Sequence, residues 1–412
     1  MTEKSNKPPQ VGEEVDVTIQ SMAFGGEGVA RYDNYVIFVP DVIPGEKARL
    51  KITAAKRSYG KGALVHLLEP SSDRIEPPCA VYGVCGGCQY QHVSYDKSLE
   101  FKEQQLKDIC RRIGGLSVDD LCDPIRPAPE PYGYRNVISL HVTNGEEGWG
   151  VGYFARDNKT FVPISSCPIA REAINETLGG IGRVLSSFEH SDMIKEITIK
   201  YDGERVLFNP VYRERFRPKS TDRLCYRHQG LVFNYGLSSF FQVNHSVIPV
   251  LIDTVSEGLD GKPDETLFDL YAGVGLFSIA LAGRFSRVAG IELARESVEC
   301  FEENVTENKS HNTTIVQGPV ERVFRYAYKD FKGAANSVLM DPPREGLKRE
   351  VIQFLNKNVF RKLVYVSCDP ATLARDLKSL EATYSIRKIT PVDMFPQTKH
   401  IETVTILEKS AR

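Results

Sequence analysis

No apolar run in the 412-residue sequence approaches the ~20 residues that a bilayer-spanning helix needs, so no helical membrane anchor is expected. The opening segment, Met1 to Gln10, lacks the apolar stretch of a secretory signal and reads as a short disordered tail. An excess of one charge is also missing. With a formal charge of −2 there is no global basic field, and any nucleic-acid binding must rest on local patches. Nine cysteines occur without a secretion signal. They point to a reducing, cytoplasmic setting in which thiols serve as metal ligands, catalysts or core filler rather than as a disulfide framework. The length suffices for two or three domains.

What is present is a set of apolar strands that each end in a chemical signature. Leu267-Phe268-Asp269-Leu270 runs into Tyr271-Ala272-Gly273-Val274-Gly275. Val338-Leu339-Met340 delivers Asp341-Pro342-Pro343-Arg344, and Leu363 to Ser367 delivers Cys368-Asp369-Pro370. In an open α/β sheet, ligands bind outside the carboxyl ends of the strands. A glycine loop, a carboxylate and a thiol on one rim have the makings of an active site.

The first 70 residues read differently. Val15 to Ile19 alternates with period two, Gly25 to Ala30 is a glycine turn entering a strand, and three more short strands follow. Five closely spaced strands predict a small barrel of the oligonucleotide-binding type. Lys56-Arg57-Ser58-Tyr59-Gly60-Lys61 interleaves cations with an aromatic, which suits phosphate contact and base stacking, or equally a solvated hairpin tip. On Gly25-Gly26-Glu27-Gly28-Val29-Ala30 and Val39-Pro40-Asp41-Val42-Ile43-Pro44-Gly45-Glu46 the segment resembles a TRAM domain, which implies RNA binding.

Cys79, Cys85 and Cys88 fall within ten residues. The two-residue spacer between the last two lets adjacent thiolates converge on one metal centre, and Cys167, before Pro168, is the candidate fourth ligand. The spacing alone leaves zinc and an iron–sulfur cluster both open. Cys110, Cys122, Cys225 and Cys300 show no such spacing and read as buried small hydrophobes. Tyr95 to Gly114 has a helical apolar stripe (Leu99, Leu106, Ile109, Ile113), with Gly114 as its stop. Strand patterns then resume from Arg135, and Arg213, Arg215, Arg217, Lys219, Arg223 and Arg227 form a basic stretch able to line an RNA groove or simply face solvent.

The Gly273-x-Gly275 pair matches two glycines of a dinucleotide fingerprint, but Ser278 stands at the third position. That departure favours S-adenosylmethionine, which has no pyrophosphate to cradle. Glu292 ends the next strand 23 residues after Asp269, where a carboxylate can accept ribose hydroxyls. Amino-group methyltransferases carry an aromatic after Asp-Pro-Pro; here it is Arg344, and a cysteine ends the following strand. Methylation at C5 of a pyrimidine needs a thiolate, since attack at C6 is what makes C5 nucleophilic. A base must then remove the C5 proton, and Glu402, on the final alternating strand, is the candidate. The pocket is expected to lower the pKa of Cys368.

These motifs, with Phe240-Phe241-Gln242-Val243-Asn244 and Met394-Phe395-Pro396-x-Thr398-x-His400-Ile401-Glu402, resemble the RNA uracil-C5-methyltransferase family in its TRAM-bearing, iron–sulfur form that modifies large-subunit ribosomal RNA. The resemblance runs from about Val11 to the end. It implies an α/β, Rossmann-like S-adenosylmethionine-dependent methyltransferase domain at 240–412. It also implies an OB-like TRAM barrel at 1–70 and a mostly β central region at 71–239 carrying a metal cluster. Further implied are Cys368 as nucleophile, Glu402 as base, and Gln242, Tyr271, Glu292 and Asp341 as S-adenosylmethionine contacts. A [4Fe-4S] cluster falls to Cys79, Cys85, Cys88 and Cys167. Bacterial tRNA-specific relatives lack both barrel and cluster, which favours ribosomal RNA. Archaeal relatives acting on the tRNA T-loop carry the cluster, so tRNA is the alternative substrate. A monomer is expected. A non-catalytic RNA-binding or redox-sensing relative is the rival, and the joint presence of Cys368, Glu402, Asp341 and Glu292 argues against it.

Overall fold

The computed structural model describes residues 8–410 apart from 147, 214–220, 334 and 359. Arg215, Arg217 and Lys219 of the basic stretch, and residues 1–7 of the expected tail, lie outside the described residues. The chain packs as two compact units, the first formed by Met1–Gln105, Tyr153–Val162 and Pro396–His400, the second by the remainder.

The first unit contains a closed five-stranded barrel in the order β1-β2-β3-β5-β4, made of β1 (Glu14–Met22), β2 (Gly28–Tyr32), β3 (Tyr35–Val39), β4 (Lys47–Ala55) and β5 (Tyr59–Glu69). Period-two patterning sends Val15, Val17 and Ile19 inward from β1 and Ala48, Leu50 and Ile52 inward from β4. Gly28 is required at its place, because an added Cβ would lie 2.4 Å from a Val42 methyl. Glu46 is fully buried, and its charge is met by Arg74 at 2.7 Å and by the Ile43 and Ser71 N–H groups. At the β4–β5 hairpin the Lys56 ammonium donates to the Tyr59 hydroxyl at 3.0 Å and sits over its ring.

Helix α1 (Tyr95–Ile109) is followed by a π-helical turn, Cys110–Gly114. Gly115 rather than Gly114 supplies the left-handed cap, at φ +63°. The wider turn takes Ile113 off the apolar stripe and leaves it 53% exposed, whereas Leu106 and Cys110 are buried.

Strands β6 (Val137–Gly145), β7 (Gly148–Phe154), β8 (Phe161–Pro163), β9 (Ile194–Tyr201) and β10 (Val206–Tyr212) form a sheet in the order β10-β9-β6-β7-β8. Short helices α2 (Glu172–Leu178) and α3 (Ile181–Ser186) precede β9. A hairpin of β11 (Arg223–His228) and β12 (Leu231–Gly236) turns through Gln229 and Gly230, both at positive φ, as a tight two-residue turn requires.

The principal sheet has seven strands in the order β15-β14-β13-β16-β17-β19-β18. Its members are β13 (Glu265–Leu270), β14 (Arg287–Glu292), β15 (Thr313–Gln317), β16 (Ala335–Met340), β17 (Lys362–Ser367), β18 (Tyr384–Val392) and β19 (Glu402–Lys409). The first five run parallel, and β19 inserts antiparallel between β17 and β18. Helices α4 (Ile248–Leu259), α5 (Leu276–Leu281) and α6 (Arg295–Glu307) contribute to the core on one face. Helices α7 (Val320–Phe331), α8 (Arg349–Lys357) and α9 (Pro370–Leu380) cover the other. Leu267 packs into one core and Phe268 and Leu270 into the other, which is why the strand reads as a continuous apolar run. Strand order reverses between β13 and β16, which puts the topological switch point, and its ligand crevice, at their carboxyl ends.

Candidate active site

The loop after β13 is built for close backbone approach. Tyr271 takes the left-handed region at φ +66°, a strain of about 1–2 kcal/mol for a residue with a Cβ. Gly273 follows at φ +55°, and a Cβ there would meet nothing within 4 Å, so open space faces the backbone. Gly275 differs: a Cβ would press on the Phe301 ring at 2.9 Å. Glu292, at the end of β14, accepts from the Gly273 N–H at 3.0 Å and from the Leu293 and Ala294 N–H groups at 2.8 and 2.7 Å. A carboxylate has about four acceptor positions, so three are already filled and a diol arriving there must displace one. Beneath the loop, Asp269 is buried, accepts from the Ser278 hydroxyl at 2.6 Å and keeps its other oxygen without a partner. Burial pushes its carboxyl up to about 7.

Gln242 is buried at 6% exposure on the segment entering α4. Its carbonyl accepts from the Asn136 amide at 3.3 Å, and the Asn136 N–H donates to the Val243 carbonyl at 3.0 Å. Asn244 ties the same segment to the Met394 carbonyl at 3.3 Å.

Across the switch point the remaining groups meet. Asp341 leaves β16, and burial, with Asp269 nearby, raises its carboxyl well above the usual range. Cys368 follows β17 directly, and Asp369 caps α9 by accepting from the Ala371 and Thr372 N–H groups at 3.0 and 2.9 Å. Glu402 opens β19, whose Thr403 is paired with Ser367, so Glu402 lies one register position beyond, beside Cys368. It is 4% exposed, and its Oε1 has no hydrogen-bond partner. Burial first, then Asp341, raises its carboxyl well above the usual range, with Arg344 opposing. Arg344 lies near enough to the Cys368 thiol to favour its ionised form. Its position after Asp-Pro-Pro was visible in the sequence, but its nearness to the thiol was not.

The expectation of a lowered thiol pKa is overturned. Burial, with Glu402 and Asp341 adding, pushes Cys368 up to about 12, and Arg344 offsets only part of this. The resting thiol is therefore biased toward its protonated form. A raised pKa favours the neutral form, so reactivity must increase with pH. Alkylation of Cys368 by iodoacetamide, followed by peptide mass spectrometry, should accelerate about tenfold per pH unit from 7 to 9. A rate already level at pH 7 would show an ionised thiol.

The cysteine loop gives a different result. Cys79, Cys85 and Cys88 are half-buried in the first unit, where the Gly87 N–H faces the Cys85 thiol at 3.4 Å and burial raises that thiol's pKa. Cys167 belongs to the second unit, where Asn175 bonds both its N–H and its carbonyl, at 2.8 and 3.1 Å. Among the described residues no group of three or more His, Cys, Asp and Glu side chains is arranged to hold a metal ion. The expected four-thiolate centre is not supported by this geometry. In the basic stretch, Arg223 is engaged by Glu303 at 3.1 Å. Among the described residues no helix is long and apolar enough to cross a membrane.

A family model described as tRNA (Uracil-5-)-methyltransferase matches residues 219–410, and one described as TRAM domain matches residues 8–65. The sequence is 31% identical to an uncharacterized RNA methyltransferase of Thermosynechococcus vestitus over 97% of this chain and 99% of that protein. It is 30% identical to one of Halalkalibacterium halodurans, over 98% and 99%. The crystal structure of Pyrococcus abyssi tRNA (uracil-54, C5)-methyltransferase in complex with S-adenosyl-L-homocysteine aligns with a TM-score of 0.72. That match has 25% identity and covers 95% of this chain and 100% of that one. With the strand-end groups already in place, these likenesses settle the assignment: the chain belongs to the RNA uracil-C5-methyltransferase family and carries a TRAM domain at its N-terminal end.

Proposed function

We propose that this RNA uracil-C5-methyltransferase converts a uridine of large-subunit ribosomal RNA to 5-methyluridine, with Cys368 as nucleophile and Glu402 as base. The observation that supports it best is the meeting of Arg344, Cys368 and a buried, unpartnered Glu402 oxygen at neighbouring strand ends. The open face of Gly273 and the acids at the ends of β14 and β16 fit S-adenosylmethionine, with Gln242, Tyr271, Glu292 and Asp341 as its contacts. When bound, S-adenosylmethionine supplies an electrophilic methyl group on a sulfonium.

The protein's own residues do the rest. The target base leaves its stack so that its C6 reaches the thiol. The Cys368 thiol passes its proton to solvent, with the Arg344 guanidinium favouring the thiolate, while Glu402 stays free of that proton. That thiolate bonds to C6 and drives the C5–C6 π electrons toward the O4 carbonyl, which makes C5 nucleophilic. Once C5 carries its new methyl group, the Glu402 carboxylate takes the C5 proton. The C–H electrons re-form the C5–C6 double bond, and the Cys368 thiolate leaves.

The reading divides the chain into an RNA-binding barrel at 1–70, a central region at 71–239 and a catalytic domain at 240–412, working as a cytoplasmic monomer. A [4Fe-4S] cluster on Cys79, Cys85, Cys88 and Cys167 comes from the family resemblance alone, and no step runs through it. Iron and acid-labile sulfide assays on anaerobically purified protein decide between that cluster, zinc and no metal. A second substrate reading, the tRNA T-loop, is favoured by the likeness to the Pyrococcus abyssi enzyme. Mass mapping of 5-methyluridine in cells with and without the gene separates the two. Loss from large-subunit ribosomal RNA is expected; loss confined to the tRNA T-loop would refute the ribosomal assignment and leave the chemistry standing.

A further inference from the structure

Helix α9 begins two residues after Cys368, and its inward face grips the loop that carries Arg344. Asp376 is fully buried on that face and accepts from three directions: the Leu347 N–H at 2.8 Å, the Tyr365 hydroxyl at 2.8 Å and the Arg375 guanidinium at 2.9 Å. Leu347 lies in the Arg344 loop, and Tyr365 lies on β17, three residues before Cys368. Arg375 also donates to the Glu345 carbonyl at 2.7 Å. The Thr372 hydroxyl, with one proton to give, has the Arg344 carbonyl as its nearest acceptor at 3.0 Å, ahead of Asp369 oxygens at 3.2 and 3.3 Å. Gly346 fits the contact closely. At φ +77° it already favours glycine, and a Cβ would lie 2.5 Å from an Asp376 carboxylate oxygen and 2.6 Å from the Arg375 guanidinium. Residues 344–347 are thus fastened to the helix that follows the nucleophile by main-chain bonds at Arg344, Glu345 and Leu347.

We infer that Asp376 and Arg375 are positioning residues, whose grip on the 344–347 loop holds the Arg344 guanidinium against the Cys368 thiol. Neither touches the reacting atoms. A buried carboxylate with three donors from three elements is a rigid joint, and loss of one of its partners leaves buried polar groups unpaired. The loop would then be free to shift, and a displacement of about 1 Å in a supporting element is enough to cost of the order of 10²-fold in rate. The inference rests on Cys368 being the nucleophile.

The test compares Asp376→Ala and Arg375→Gln with the unaltered protein. Arg375 is half exposed, so Arg375→Gln decides the matter if the Asp376 variant does not fold. Both variants should lower kcat by about tenfold with the KM for RNA changed less than about twofold. Both should also displace the pH profile of Cys368 alkylation to higher pH, because a cation favouring the thiolate has moved. Arg375→Lys, which keeps a donor, should recover part of the displacement. A folded Arg375→Gln protein with unchanged alkylation profile and kcat overturns the inference. If instead Cys368→Ala remains active, the nucleophile assignment itself has failed, whatever the clamp variants do.

Discussion

Replacing Cys368 with alanine should abolish methylation of RNA, by at least about 10⁴-fold, while leaving S-adenosylmethionine affinity within about twofold. The asymmetry follows from placement. Cys368 sits beyond the end of β17, whereas the glycine loop follows β13 and Glu292 ends β14, two and three strands away in the sheet. Removing the thiol sulfur leaves that region untouched. It does remove the thiol proposed to add to C6, and without addition C5 of uracil is too poor a nucleophile. Single-turnover transfer of labelled methyl groups measures the rate, and calorimetric titration measures the cofactor. A variant that still methylates would exclude covalent catalysis through this residue.

Glu402→Gln should have the opposite signature. Addition proceeds, but C5 keeps its proton, the thiolate is not expelled, and a protein–RNA adduct accumulates that survives denaturation. Turnover should fall by about 10²–10⁴-fold, the range for loss of a general base. The substitution should be quiet structurally. Glu402 is 4% exposed and burial raises its carboxyl well above the usual range, so an uncharged amide of the same shape fits the same space without leaving a buried partner charge behind. The melting temperature should stay within about 2 °C, unlike the loss of a buried charged partner. The adduct is read on denaturing gels with labelled RNA.

The sequence made the strands and their chemical endings legible because each is local. Leu267 to Gly275, Val338 to Arg344 and Leu363 to Pro370 each place a fully buried strand directly before a loop, and a parallel sheet aligns such ends without further information. The barrel was legible for a similar reason, since alternation in β1 and β4 survives as an inward and an outward face. What escaped depended on contacts between distant segments. Glu402 was named from its alternating strand, but the pairing that sets it beside Cys368, with β19 inserted antiparallel between β17 and β18, is one that no local periodicity encodes. The bonds that tie the Arg344 loop to α9 through Asp376 and Arg375 likewise join segments far apart in the sequence. Gln242 is set by Asn136, more than a hundred residues earlier. The direction of the Cys368 pKa was missed because residue types show which charges are near but not how far burial outweighs them.

The central claim is a covalent bond between Cys368 and the target uridine, and the adduct itself is the most direct test of it. Glu402→Gln protein incubated with ribosomal RNA, transfer RNA and S-adenosylmethionine, then digested with nuclease and protease, should yield one modified peptide by tandem mass spectrometry. That peptide contains Cys368 and carries a methylated uridine nucleotide on its sulfur. The nucleotide on any other residue, or its absence with both RNAs while methylation by the unaltered protein proceeds, would contradict it.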